Sequence, residues 1–305
     1  MSELLINNAN IWNEVTVSSC IHEMHAGGRS DSLTIKIYDP ESKFDRWNLV
    51  TGTTIEFKDS GVKSGNMFLY NIAPEGSYYE LRAYSMPVTG TVPNTKTWDL
   101  VHFQQIGEEI AKRNNLEFET YGVPDIVYKY MAQDNEPDFK FWGRLCKRER
   151  ALLTIYDGKL IVAYEPYLEG LEANITISTE GCIVECEDNS LLEYGSAIVN
   201  SGSYYGEFKA PNGNDRIWVP DKSIICQSNS EAVRFATAEL REKNKMLIAG
   251  TIEGSLMSHI APGIMVNIDN VQMSSWSGTY FIYKVRHDYG KKKSKIFFRR
   301  RLEGY

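Results

Sequence analysis

Three adjoining segments decide how this chain is read: TWDLVHFQQIGEEIAKRNNL (97–116), DNEPDFKFWGRLCKRER (134–150) and ALLTIYDGKLIV (151–162). In the first, Phe103, Ile106, Ile110 and Ala111 recur at helical spacing and form one apolar face. Asn114-Asn115 suits a left-handed C-terminal cap with Leu116 folding back beyond it. The second segment predicts a helix starting near Asn135. Pro137 then sits in the first turn, where its missing N–H costs nothing, and Glu136 and Asp138 complement the positive end of the dipole. Phe139, Trp142, Leu145 and Cys146 form its apolar face, and Lys147, Arg148 and Arg150 lie near its negative end. In the third segment, two alternating runs flank Asp157-Gly158, the signature of a type I′ hairpin.

Strand patterns lie on both sides. Leu33, Ile35 and Ile37 alternate with Thr34, Lys36 and Tyr38 up to Asp39-Pro40, and Ile55 and Phe57 alternate with Thr54, Glu56 and Lys58. Runs at 67–72 and 79–84 follow, separated by Pro74-Glu75-Gly76. After a linker at Pro166–Gly170, strands are expected at 175–178, 182–187, 197–201 and 204–210. A third helix opens at Ser228 with Glu231 completing a capping box, and Val233, Ala236 and Leu240 line its buried side. Strands at 246–253, 264–268, 279–287 and 295–302 close the chain. The fold class is therefore mainly β with an α+β insert: strands at 1–95, the insert at 96–170, and a second β region at 171–305 with one helix at about 228–244.

Composition narrows the function. With 42% hydrophobic and 24% charged residues among 305, the chain can bury sizeable cores. A formal charge of −7 gives nucleic acid or an anionic membrane no overall attraction. The 18 Tyr, 12 Phe and 6 Trp suit pleated faces; because they are spread along the chain, they read as strand packing before they read as a sugar-binding surface. Five cysteines form no C-x-x-C pair; Cys182 and Cys186 share one face of a strand, and all five read as reduced, buried thiols suited to a reducing cytoplasm. MSELLINNANIW carries no secretion-signal pattern, and no run approaches the roughly 18 apolar residues that span a bilayer, so membrane insertion is not expected.

Catalytic patterns are sparse. His22 and His25 lie in IHEMH, which lacks the H-E-x-x-H spacing, and in a strand they face opposite sides. His102, His259 and His287 stand alone, and GGRSDS (27–32) reads as a loop before a strand. Carboxylates at Glu108-Glu109 and at Glu185, Glu187 and Asp188 read as solvated faces. Lys291-Lys292-Lys293 reads as a solvated hairpin loop and Arg299-Arg300-Arg301 as the end of its returning strand. No catalytic, metal or cofactor site is expected.

Three motifs in order carry a resemblance. They are W-D-x-x-x-F-x-x-I-G-x-E-I-A (Trp98, Asp99, Phe103, Ile106, Ile110), Q-D-N-E-x-D-F-x-F-W-x-R-L (Gln133, Glu136, Asp138, Phe141, Arg144, Leu145) with Asp157-Gly158, and a terminal P-G … G-x-Y … V-x-H (Pro262, Gly263, Gly278, Tyr280, Val285, His287). Together they resemble the late control D family, central hub proteins of contractile phage tails and related injection machines. The chain departs from the family pattern in having Pro137 where Ser is usual, Trp142 for Leu and Cys146 for Ala. The resemblance implies two tube-type β-barrels per chain, the first completed by strands near 171–225, and a homotrimer whose six barrels form a pseudo-hexameric ring. The expected partners are a trimeric tail spike, a tail-tube or tube-initiator protein and other baseplate proteins, with assembly in the bacterial cytoplasm and release by lysis in a virion or a phage-tail-like particle. The competing readings are a phage-associated cell-wall hydrolase, motivated by the many carboxylates, and a carbohydrate-binding module, motivated by the tyrosines.

Overall fold

The computed structural model describes residues 2–42, 44, 47–59, 61–220 and 224–305. The first arm contains β1 (Glu3–Ile6), β2 (Ala9–Asn10), β3 (Thr16–His25), β4 (Ser32–Tyr38), β5 (Thr54–Asp59), β6 (Val62–Lys63), β7 (Met67–Glu75) and β8 (Tyr78–Tyr84). The centre contains β9 (Pro93–His102), α1 (Phe103–Arg113), β10 (Glu117–Tyr121), β11 (Val127–Pro137), α2 (Asp138–Arg148), β12 (Ala151–Tyr156), β13 (Lys159–Tyr164) and α3 (Glu165–Glu169). The remainder contains β14 (Thr176–Ser178), β15 (Ile183–Asp188), β16 (Ser196–Ser201), β17 (Tyr204–Lys209), β18 (Ile217–Trp218), α4 (Asn229–Asn244), β19 (Ile248–Ser255), β20 (Met265–Asp269), β21 (Gly278–Asp288) and β22 (Lys293–Arg300). The class is mainly β with a small helical part, as the patterns required.

Period-two alternation does what it should: Leu33, Ile35 and Ile37 on β4 and Ile55 and Phe57 on β5 are buried, together with Leu4, Leu69 and Leu81. A second core gathers Ile252, Val266, Ile268, Ile282, Val285, Ile296 and Phe298. Both cores lie on one 14-stranded sheet ordered β15-β19-β22-β21-β3-β4-β8-β7-β5-β1-β2, with β20 branching from β21. β21 serves both lobes. Its first half pairs with β20 and its second half with β3, and a bulge between Ile282 and Lys284 turns the strand from one to the other.

Two closed barrels were expected, and the described strands leave both ladders open. In the first lobe the gap beside β1 is filled by rings: Trp12 and Tyr289 lie against Phe57 with centroids 6.0 and 4.8 Å away. In the second, between β14 and β15, the Gln272 amide donates to the carbonyls of Thr179 and Cys182 at 3.3 and 3.4 Å. The strands at 171–225 pair with β20, with β19 or among themselves, while β21 is the strand laid against β3.

Several boundaries differ from the sequence reading. Trp98–His102 is strand, because β11 supplies a partner: Trp98 stands opposite Met131 and Val101 opposite Tyr128. α1 begins only at Phe103, where the Gln105 side chain accepts the His102 N–H. α2 begins at Asp138, since pairing with β9 keeps Glu136 and Pro137 extended; Pro137 is the N-cap, with φ −57° and ψ 142°. The linker after Tyr164 is the helical turn α3. On α4, Ser228 Oγ accepts the Glu231 N–H, but the Glu231 carboxylate takes the Gln227 N–H and not that of Ser228. Val233 is 39% exposed, and Ala232, Phe235, Ala236 and Leu240 form the buried face. The helix backbone rests directly on Gly206, where a Cβ would lie 2.2 Å from Ala232 C, and that contact fixes its rotation. Cys182 and Cys186 are half-buried because β15 is an edge strand, and all five thiols are free.

The third core lies under the helices: Trp98, Phe103, Ile106, Ile110, Phe141, Trp142 and Leu145 meet Leu160 and Val162 of the hairpin and Phe235 and Leu240 of α4. Gly107 is where α1 comes closest to it. A Cβ there would lie 2.6 Å from both Phe118 and Trp142. Helix propensity alone gives Gly107→Ala a gain of about 1 kcal/mol; crowding of two rings reverses the sign, to a net loss of about 1–3 kcal/mol. Urea denaturation of the two proteins checks it.

Candidate functional site: the central joint

The motif residues converge around α1 and α2. Asp138 is buried at the start of α2 and accepts from Asn114 Nδ2 at 2.8 Å, Gln133 Nε2 at 2.9 Å and Asn94 Nδ2 at 3.1 Å, with Arg113 Nε at 3.3 Å. One carboxylate therefore ties β9, α1, β11 and α2 together. Glu136 pairs with Arg144 at 2.8 Å, and that guanidinium lies over Phe141. Phe141 stacks on Trp98 with an interplanar angle of 8°, and the Trp98 indole donates to Glu109. Phe103 stacks on Trp142 with centroids 4.4 Å apart. Ile106, Ile110 and Leu145 are fully buried, whereas Asp99 is exposed.

The hairpin joins this centre to the first lobe. Asp157 and Gly158 both have positive φ, 49° and 79°, as a type I′ turn demands. The Asp157 carboxylate forms an ion pair with Lys63 and accepts the Asn66 N–H at 3.3 Å. Tyr156 OH donates to Lys63 O and Thr154 Oγ1 to Ala26 O.

The terminal motif lies apart, inside the second lobe. Gly263 has φ 87° and Gly278 φ 151°, both in glycine-favouring regions, and Pro262 is half-buried beside the first. Tyr280 packs edge-on against Phe298 and donates to Trp276 O at 3.1 Å, and Val285 is fully buried. His287 is buried between the Ser294 hydroxyl at 2.8 Å and Ile260 O at 3.0 Å, with Nε2–H donating to the carbonyl, and burial lowers its pKa. His22 stands opposite His287 in the β3–β21 ladder; its Nε2 is buried without a partner, and burial, with His287 adding to it, pulls its pKa down to about 3.

Sequence reasoning missed the joint to the second lobe. Glu165 and Glu169 on α3, Arg241 on α4 and Arg299 on β22 are all at most 3% exposed. Arg241 Nε meets Glu165 at 2.9 Å and its Nη2 meets Glu169 at 2.6 Å. Arg299 Nη2 donates to Glu165 at 2.7 Å and pairs with Glu169 as well. Lys245 stands 3.6 Å from Glu165, and Leu302 N–H reaches Glu169 at 3.2 Å. Burial pushes the Glu165 pKa up, but Arg299, Lys245 and Arg241 outweigh it and hold it at about 2. No local pattern announces this cluster. Arg299 belongs to the run read as the end of a returning strand, which it is, and it is the buried member of that run.

Other expected sites stay apart. Among the described residues no group of three His, Cys, Asp or Glu could hold a metal ion, and His25 pairs with Glu23, not with His22. The 27–30 loop carries no nucleophilic constellation, and Glu185, Glu187 and Asp188 are exposed on the edge strand. Among the described residues no helix is long and apolar enough to cross a membrane.

Two outcomes follow from the buried charges. Glu165→Gln leaves two guanidinium groups under-compensated and costs about 3–5 kcal/mol in denaturant melts. Because the Glu165 pKa is depressed from 4.5 to about 2, its stabilisation is complete above pH 4.5 and fades as pH falls toward 2, and this acid limb flattens in the variant. His22 has its pKa lowered from 6.5, so the unfolded chain binds its proton first and stability falls from pH 6.5 toward about 3. In His22→Leu the slope in that window becomes shallower, by at most about 1.4 kcal/mol per pH unit.

Neither a protein-family model nor a curated protein sequence matches this chain. Solved structures do. A 43 kDa tail protein of prophage MuSo2 from Shewanella oneidensis has a TM-score of 0.75 at 9% identity, with 98% of each chain covered. The tail protein from Neisseria meningitidis MC58 has a TM-score of 0.74 at 9% identity, covering 98% of this chain and 95% of its own. The E. coli c3393 protein, a type VI secretion system component with structural similarity to T4 tail proteins gp27 and gp5, has a TM-score of 0.65 at 11% identity, covering 99% and 78%. The fold of this chain, from one end to the other, is one found in phage tail and type VI secretion proteins.

Proposed function

We propose that this chain is a structural baseplate hub of the late control D type, joining a hexameric tail tube to a trimeric spike in a contractile phage tail or phage-tail-like particle. The observation that carries the reading is the end-to-end fold match, 98% of both chains, to a prophage tail protein. The ordered motifs support it, because the first two build the joint of that fold and the terminal one packs inside its second lobe. Each lobe, with its own core on one shared sheet, serves as one tube-type unit, so three copies offer six near-equivalent faces. In this reading the chain is not an enzyme. Its partners are two further copies of itself, the spike, a tube or tube-initiator protein and other baseplate components, with no nucleic-acid specificity. Assembly takes place in the bacterial cytoplasm, and the finished particle leaves by lysis.

Light scattering is the direct test. A trimer is expected, alone or on co-expression with the spike encoded nearby. A chain that stays monomeric and fails to bind that spike overturns the reading, as does turnover of purified peptidoglycan.

A further inference from the structure

A cavity of about 480 Å³ opens where the Gly27–Ser30 turn, α2 and the β12 strand meet. That size suits one or two side chains of a ligand. Its floor is apolar: Met86, Phe139, Cys146, Leu152, Leu153 and Ile155. Its rim carries six cations against two carboxylates, Glu165, which belongs to the buried ion-pair cluster, and Glu242, and the cations divide into two sets. Arg144 is paired with Glu136, and Lys147 and Lys245 are paired with Glu242. Arg29, Lys140 and Arg150 meet no carboxylate at ion-pair distance among the described residues. Arg150 is the most constrained of these. It sits at φ 55° just beyond α2, its guanidinium lies 5.2 Å over the Tyr164 ring, and its Nε is buried with no hydrogen-bond partner.

A half-buried guanidinium, already partly stripped of water, gains more from an anion than a fully solvated one does. The chain's own carboxylates leave it unmatched even though the whole molecule carries −7. We propose that this cavity binds an acidic peptide segment of another protein, with an apolar side chain on the floor and flanking carboxylates on Arg29, Lys140 and Arg150. A nucleic-acid backbone fits worse: it needs cations along an extended groove with exposed rings to stack on, and here they surround one pocket whose single ring, Phe139, is buried. The inference rests on the cavity and stands apart from the baseplate reading.

The floor offers a clean block. A Cβ at Gly143 would find only Leu153 Cδ2, at 3.8 Å, so a longer side chain there enters open space, and leucine is the better helix former. Arg29 and Lys140 are exposed, so reversing their charge leaves the core untouched. The full chain is titrated with anilinonaphthalenesulfonate, an aromatic anion whose fluorescence reports the cavity. Competitors are the peptide acetyl-Glu-Leu-Phe-Asp-Glu-amide, its neutral counterpart acetyl-Gln-Leu-Phe-Asn-Gln-amide, and sodium sulfate. The acidic peptide is expected to displace the dye at a concentration at least about tenfold lower than the neutral one, and less well at high salt. Gly143→Leu and the double variant Arg29→Glu/Lys140→Glu are each expected to weaken peptide binding at least about tenfold without lowering the melting temperature. Equal competition by the neutral peptide, sulfate matching the acidic peptide, no displacement by either peptide, or wild-type affinity in a folded Gly143→Leu protein would each overturn the proposal.

Discussion

Four charges without water hold the centre of this molecule to its second lobe. Placing Glu165, Glu169, Arg241 and Arg299 in the interior costs several kcal/mol per ion before any contact is made. The cost is offset only if each carboxylate keeps both guanidinium groups within hydrogen-bond reach, which fixes α3, α4 and β22 relative to one another. Apolar contacts between the same elements would tolerate sliding; forked ion pairs do not. The cluster therefore sets the position of the helical layer over the sheet, and with it the lip of the cavity that Glu165 and Lys245 help to line.

The opposite joint is built from a turn. Asp157 leads the type I′ hairpin and also reaches Lys63 and the Asn66 N–H across the boundary with the first lobe. Between these two joints the lobes share β21, whose bulge near Tyr283 lets one strand pair with β20 and then with β3. A strand common to both cores makes them one sheet mechanically. The motif residues around it are spent on packing and polar ties.

Much of this was legible. Leu33, Ile35 and Ile37 could only be a half-buried strand, Asp157-Gly158 could only be a tight hairpin, and the stripe from Phe103 to Ala111 could only be a helix. The motif residues Gln133, Glu136, Asp138 and Arg144 were singled out from their order, although not the polar hub that Asp138 makes with Asn94 and Asn114. Trp98 and Val101 misled because their spacing fits a helix as well as a strand, and the partner strand at 127–137 decided between the two. Arg299 was placed correctly at the end of its strand, but nothing in three successive arginines tells which of them is buried.

By itself, then, the sequence determined most of the outer strands, the three longer helices, the hairpin and the absence of any familiar reactive motif, since periodicity and turn chemistry act over a few residues at a time. Tertiary structure alone decided that Glu165 would meet Arg299, 134 positions away, that His22 would lie buried opposite His287, and that three cations would be left facing an apolar hollow. Whether a charge is buried, and what answers it, depends on which distant surfaces exclude water around it, and no stretch of chain carries that information locally.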